Sequence, residues 1–134
     1  MNIHEILQNN KTVAVYGMSK SFGKAANIVP MFLKGQGYNI IPINPTTDEI
    51  NGIKCYQSLA DVTENIDILD VFRPSEQAAA VVREAVERRK AKGDIQVIWL
   101  QEGITSEEGS HLAEESGILF VQDKCMLKEY ERYF

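Results

Sequence analysis

Short apolar runs alternate along the whole chain with longer segments whose apolar residues recur at helical spacing. The runs predict strands over Thr12 to Tyr16, Tyr38 to Ile43, Ile66 to Val71, Val97 to Leu100 and Ile118 to Val121, with a less regular strand over Ile53 to Tyr56. The segments between them predict helices over Lys24 to Gln36, Ser75 to Lys92 with Ser75 as its N-cap, and Ser106 to Glu115, after a short helix near the N-terminus. This alternation predicts one α/β domain over residues 1–134, a doubly wound parallel sheet with helices on both faces.

The segment VAVYGMSKSFGK, residues 13–24, predicts a phosphate-binding turn between the first strand and the following helix. Gly17 ends the strand without a Cβ, which lets the backbone approach a ligand, and the free N–H groups at the start of a helix favour an anion. The dinucleotide pattern G-x-G-x-x-G is incomplete, because Ser19 and Phe22 replace its second and third glycines and Gly23 comes one residue late. A structural turn that holds no ligand is the alternative interpretation.

Polar residues or glycines follow each predicted strand, at the edge where doubly wound sheets bind ligands. These strand ends are Gly17 to Ser19, Asn44 to Thr47, Phe72 to Pro74, Gln101 to Gly103 and Asp123 to Cys125. NAD-binding domains carry an acidic residue after the second strand to hold the ribose hydroxyls, whereas this chain has Asn44 and Pro45 there. The pattern therefore disfavours an NAD(P)-dependent oxidoreductase.

Charge and composition narrow the class of function further. The formal net charge of -5, with Lys and Arg scattered along the chain, disfavours a nucleic-acid surface. The first residues, MNIHEILQNN, lack the pattern of a signal peptide or membrane anchor, so we expect a cytoplasmic protein with no membrane partner. Cys55 and Cys125 are expected as free thiols, and the isolated His4 and His111 predict no metal site.

Five segments, GMSKSFGK, IIPINP, DILDVFRPSE, WLQEGI and VQDKC, occur in an order that resembles the small stand-alone CoA-binding proteins. These proteins are relatives of the N-terminal CoA-binding domain of the succinyl-CoA synthetase alpha chain, and the resemblance extends from about Lys11 to Cys125. It implies a Rossmann-like fold whose strand-end loops surround coenzyme A. The residues it places around CoA are Gly17, Ser19, Lys20, Ser21, Phe22, Asn44, Pro45, Thr46, Phe72, Arg73, Pro74, Gln101, Glu102 and Gly103.

Two departures from the synthetase pattern bear on function. Thr46 and Thr47 stand where the synthetase turn often has a lysine, so the cations for the CoA phosphates are expected from Lys20, Lys24 and Arg73. The synthetase's phosphorylated histidine belongs to a second domain that this chain does not contain. The resemblance therefore implies non-catalytic binding of CoA or an acyl-CoA, with an accessory subunit of an acyl-CoA ligase and a purely structural domain as alternatives; protein partners are not indicated.

Three residues, Arg73, Phe22 and Cys125, allow two interpretations each. Arg73 is either a phosphate ligand or a solvated loop residue, and Phe22 either lines the ligand or packs against the start of the helix. Trp99 is expected in the core because it lies within a strand. Cys125 is either an inert buried thiol or a ligand-edge thiol, activated beside Lys124, that forms a mixed disulfide with CoA.

Overall fold

Secondary structure is defined along the whole chain in the computed structural model, which describes residues 1–134. The elements are α1 (Ile3–Asn9), β1 (Thr12–Tyr16), α2 (Ala25–Gly35), β2 (Asn39–Ile43), β3 (Glu49–Ile50), β4 (Ile53–Lys54), a 3₁₀ turn (Leu59–Asp61), β5 (Ile68–Val71), α3 (Ser75–Lys92), β6 (Val97–Leu100), α4 (Glu107–Glu115), β7 (Leu119–Val121) and α5 (Met126–Tyr133). The predicted alternation of strands and helices is confirmed, with boundaries that differ by one or two residues.

Five parallel strands form one sheet in the order β2-β1-β5-β6-β7. The chain leaves β1 toward β2 on one side, then returns across β1 to β5 and continues outward to β7. The strand order therefore reverses between β1 and β5, and in such sheets the loops diverge at this point and leave a crevice at the carboxyl edge.

Alternate residues of each strand point to opposite faces of the sheet, and each face carries its own buried core. Val13, Val15 and Trp99 pack on the face covered by α1, α2 and α5. Ala14 and Ile98 pack on the face covered by α3, α4 and the 3₁₀ turn. The expected doubly wound, Rossmann-like architecture is confirmed, and Trp99 is fully buried as predicted.

Two predictions about local structure were wrong or incomplete. The predicted strand over Ile53 to Tyr56 is instead β4, paired with β3 in a separate antiparallel hairpin, because its backbone hydrogen bonds turn away from the main sheet. Only Tyr56 touches that sheet, through one bridge to Ile43. Ser75 is not an N-cap: Pro74 occupies that position, and the Ser75 hydroxyl accepts a hydrogen bond from the Thr105 N–H (3.0 Å).

Helix α5 was not predicted from the sequence. Its residues are mostly polar, and only Met126 and Glu129 are buried, so it has a narrow inner face. Short helices of this kind gain most of their stability from packing, here against α1 and α2.

A buried ion pair joins the end of α3 to the segment that leads into β5. The Arg88 Nε donates to both carboxylate oxygens of Asp94 (3.1 and 3.2 Å), and its Nη1 donates to the carbonyls of Leu59 and Val62. Asp94 also accepts from the Ile66 N–H (3.0 Å). The pair has almost all of its hydrogen-bonding capacity filled, so its desolvation cost is offset only while both partners are present.

We expect Asp94→Ala to lower the free energy of unfolding by about 3 kcal/mol or more, because it leaves the Arg88 charge buried without a counterion. Urea denaturation at constant pH measures this change. Arg83→Ala is the matched control, since Arg83 pairs with Glu108 at an exposed position and such pairs contribute at most about 1 kcal/mol. Equal losses in the two variants would contradict the role assigned to the buried pair.

Candidate functional site

Gly17 lies at the point where the strand order reverses and contacts the ends of both neighbouring strands. Its N–H donates to the Ile43 carbonyl at the end of β2 (3.0 Å). A Cβ at this position would lie 2.8 Å from the Phe72 carbonyl oxygen and 3.0 Å from the Arg73 Cδ, and the φ of +94° also favours glycine. The absence of a side chain therefore brings the loops after β1, β2 and β5 together.

Two buried or half-buried amides fix the loop that follows Gly17. The Asn44 Nδ2 donates to the Met18 carbonyl (2.8 Å), and the Asn27 Nδ2 donates to the Ser19 carbonyl (2.8 Å). The Asn44 Oδ1 also accepts from the N–H and the hydroxyl of Thr46 (2.8 and 2.7 Å). The turn after β2 and the start of α2 thus hold the predicted phosphate loop in one position.

The rest of this loop is exposed at the start of α2. The Ser21 N–H donates to the Ser19 hydroxyl (3.0 Å), and no side chain caps the helix at Lys24. Lys20 and Lys24 are both exposed and belong to no ion pair. Phe22 is 76% exposed, so the alternative that it packs against the helix start is wrong. The loop presents two cations and an aromatic ring to solvent beside an uncapped helix end.

Arg73 lies half-buried against Gly17, on the loop after β5. Its Nε is buried and has no hydrogen-bond partner, and its guanidinium forms no ion pair. The alternative of a freely solvated side chain does not fit this partial burial. A half-buried cation without an ion-pair partner is suited to an anionic ligand.

A cavity of about 270 Å³ opens at the same edge, between the start of α2, the loops after β5 and β6, and the start of α5. Its lining residues are Ala25, Val29, Phe72, Gln101, Glu102, Ile104, Cys125 and Lys128. Four of them, Phe72, Gln101, Glu102 and Cys125, are among the residues predicted from the sequence. The Lys128 Nζ donates to the Glu102 carboxylate (2.9 Å), and this charge partner raises the pKa of Lys128.

A fully buried carboxyl group, Asp70, lies beneath this cavity in the middle of β5. Its neighbours across the sheet are Val15 and Trp99. The Gln101 Nε2 donates to the Asp70 Oδ1 (2.6 Å), the Gln101 Oε1 accepts from the Met126 N–H, and the Asp70 Oδ2 has no partner. Burial raises the pKa of Asp70 to about 7, although the hydrogen bond from Gln101 acts in the opposite direction. Gln101 therefore accepts a hydrogen bond from the first turn of α5.

The remaining predicted residues do not line the cavity. Pro45, Thr46 and Pro74 are exposed on the loops after β2 and β5. Gly103 has a φ of +87°, and its N–H donates to the Asp123 carboxylate (2.7 Å). These four positions belong to the loops that follow β2, β5 and β6.

The two cysteines differ in position. Both are free, Cys55 being buried and Cys125 half-buried against the cavity immediately before α5. Burial raises the pKa of the Cys55 thiol. Only Cys125 is therefore placed to meet a ligand.

Other surface features lie away from this edge. The largest cavity, about 530 Å³, is a groove between α3 and the 3₁₀ turn whose charged walls include Arg88, already engaged in the buried ion pair. No three His, Cys, Asp or Glu side chains lie together as a metal-binding group. None of the helices combines the length and the apolar character needed to cross a bilayer.

Comparison with known proteins assigns the family. A family model described as the CoA binding domain matches residues 11–131. The chain belongs to this family. The resemblance predicted from the loop motifs is therefore confirmed at the level of the family.

The chain is similar to some proteins over nearly its whole length and to another protein over only a part. It is 39% identical to the protein YneT of Bacillus subtilis over 124 residues, 92% of this chain and 88% of YneT. Its fold matches the structure of cell-free ID.343 from Thermus thermophilus with a TM-score of 0.91 and 36% identity over the full length of both chains. It is also 42% identical to an ADP-forming acetate–CoA ligase of Methanocaldococcus jannaschii, over 55% of this chain but only 10% of the ligase. Just over half of the chain is thus similar to a small part of that ligase.

Several residues of this site carried signals that sequence reasoning missed. Asp70 is a charged residue inside the otherwise apolar run ILDVF, and Asn27 interrupts the apolar face of α2. Both indicate buried polar groups with a specific partner. Ile104 and Lys128 had no such signal, because only the packing of α5 against the sheet edge brings them to the cavity.

We expect the stability difference between wild type and Asp70→Asn to depend on pH. The folded protein holds the Asp70 proton more tightly than the unfolded chain, so this group's contribution falls as the pH rises from 3.8 to about 7 and then levels off. Asn keeps the oxygen that accepts from Gln101 but cannot ionise. Urea denaturation between pH 4 and 8 is expected to show that the free energy of unfolding of Asp70→Asn rises relative to that of the wild type as the pH increases, by at most about 4 kcal/mol.

Asp61→Asn, at an exposed position, controls for the loss of one negative charge. A stability difference for Asp70→Asn that stays constant over this pH range would show that Asp70 is ionised throughout.

Proposed function

We propose that the protein binds coenzyme A or an acyl-CoA, without catalysing a reaction itself, in the crevice between the loops after β1 and β5. The observation that carries this proposal is the set of free cations at that crevice. Arg73 has a buried Nε without a partner, and Lys20 and Lys24 flank the uncapped start of α2. CoA carries a pyrophosphate and a 3′-phosphate, and helix N-termini and cations are the groups that bind phosphates. Membership of the CoA-binding family supports the same ligand.

The turn after β2 argues against NAD as the ligand. The Asn44 side chain uses both its donor and its acceptor within the protein, on Met18 and Thr46. The nearest acids, Asp48 and Glu49, are exposed beyond the proline. No carboxylate is therefore in place for the ribose hydroxyls that NAD-binding domains hold.

We expect CoA to raise the melting temperature more than NAD, NADP or ATP does at equal concentration. A ligand present at about 100 times its dissociation constant adds roughly 2.7 kcal/mol to the free energy of unfolding. Differential scanning fluorimetry measures the four shifts in parallel. Equal shifts with NAD and CoA, or no shift with CoA, would overturn the proposal.

The same assay on Arg73→Ala locates the site. Losing one charge-assisted hydrogen bond to a phosphate costs about 1.5 to 3 kcal/mol, which weakens CoA binding about tenfold to a hundredfold. Calorimetric titration measures the affinity, and Arg83→Ala on the far part of α3 is the control expected to leave it unchanged. Unaltered affinity in Arg73→Ala would place the phosphates elsewhere.

We further expect CoA disulfide to modify Cys125 but not Cys55. The Cys125 thiolate attacks one sulfur of the CoA disulfide, the S–S bond breaks, and one CoA leaves as its thiolate while the other stays bonded to the protein. Binding raises the effective concentration of the disulfide at Cys125, whereas Cys55 is buried. Peptide mapping by mass spectrometry, with and without a reductant, locates the adduct.

Desulfo-CoA is the control for this reaction, because it occupies the same site without a sulfur and is expected to protect Cys125. Equal modification of both cysteines would indicate general exposure. An unmodified Cys125 would place the sulfur of the ligand away from the cavity.

A further inference from the structure

We infer that the cavity between α2 and α5 receives the acyl group of a CoA thioester and selects short acyl chains that carry no charge. This inference rests on the proposed binding of CoA and adds the class of acyl group. It follows from three features of the crevice: where the free cations lie, what lines the cavity, and how its one cation is neutralised.

The free cations and the cavity occupy different parts of the same edge. Lys20, Lys24 and Arg73 lie on the loops after β1 and β5 and belong to no ion pair. In the cavity the one cation, Lys128, is held by Glu102 at 2.9 Å. A ligand with phosphates at one end and a thioester at the other is therefore oriented with its uncharged end in the cavity.

The walls of the cavity are apolar where they come from helix α2 and the two loops. Ala25 and Val29 line one side, and Phe72 and Ile104 line the other. The polar groups of Gln101, on the floor, are occupied by Asp70 and the Met126 N–H. An acyl chain meets apolar surface on both sides, and each buried methylene strengthens binding by about fourfold.

The Glu102–Lys128 pair excludes a negatively charged acyl group. Both side chains are more than half exposed, and they join the loop after β6 to the first turn of α5. While Lys128 is paired with Glu102, a carboxylate at the end of the acyl chain meets the negative charge of Glu102, and no other cation lines the cavity. Glu102 thus acts as a specificity-determining residue, and removing its charge frees Lys128 for such a carboxylate.

Calorimetric titration with a series of CoA thioesters tests the size of the acyl site. Two further methylenes should make butyryl-CoA bind about fifteenfold more tightly than acetyl-CoA. The affinity for octanoyl-CoA should exceed that for butyryl-CoA by far less than the roughly 200-fold that four more buried methylenes would give, because the pantetheine arm of the proposed ligand would take up part of the 270 Å³ cavity. Ile104→Ala enlarges the cavity and is expected to raise the affinity for octanoyl-CoA relative to the affinity for butyryl-CoA. Ile28→Ala, at an exposed position on α2 outside the cavity, should leave the ratio of these two affinities unchanged.

Butyryl-CoA and succinyl-CoA, which both carry four-carbon acyl groups, test the charge selectivity. We expect the wild type to bind butyryl-CoA about tenfold more tightly. Glu102→Gln should narrow this difference about two- to fivefold, the contribution of an exposed ion pair. The same narrowing should be absent in the double variant Glu102→Gln with Lys128→Met, which removes the freed cation.

The outcomes separate this inference from the proposed function. Equal affinities for CoA and all its thioesters would overturn the acyl site and leave CoA binding standing. Tighter binding of succinyl-CoA than of butyryl-CoA by the wild type would overturn the charge selectivity. Failure of CoA and every thioester to bind would overturn both proposals.

Discussion

The close approach of the backbone at Gly17 is the constraint on which the arrangement of the site depends. The positions of β2, β1 and β5 are set by the sheet, but their loops can meet only if the residue at the end of β1 has no side chain. With a Cβ only 2.8 Å from the Phe72 carbonyl, either the loop after β1 or the loop after β5 would have to move. Arg73 lies on that second loop, so the same contact fixes the position of the cation proposed to bind phosphate.

Side-chain amides fix the other loops at this edge of the sheet through hydrogen bonds to backbone groups. Asn44 and Asn27 hold the loop after β1 through the carbonyls of Met18 and Ser19. Gln101 does the same at the other end of the crevice, where it joins Asp70 in the sheet to the start of α5. Buried amides of this kind specify one geometry because a shifted loop would leave them without partners.

Stability and binding depend on different parts of the molecule. The buried Arg88–Asp94 pair lies at the amino edge of β5 and joins it to α3, far along the strands from the carboxyl edge. Asp70 is the exception, since its buried carboxyl belongs to the core but contacts the cavity through Gln101. Its raised pKa lowers the stability of the folded state as the pH rises from 3.8 to about 7.

The sequence alone determined the sheet, its parallel strands and the loops that carry the ligand-edge residues, because hydrophobic periodicity and strand-end glycines are local signals. It also identified Gly17, Arg73, Gln101 and Cys125 as candidate positions. It could not determine that Phe22 faces solvent, that Gln101 accepts a hydrogen bond from the first turn of α5, or that Ser75 begins α3 after Pro74. Helix α5, and with it Lys128 at the cavity, was decided only by tertiary packing, because a short polar helix is stabilised by the surface it covers and not by its own residues.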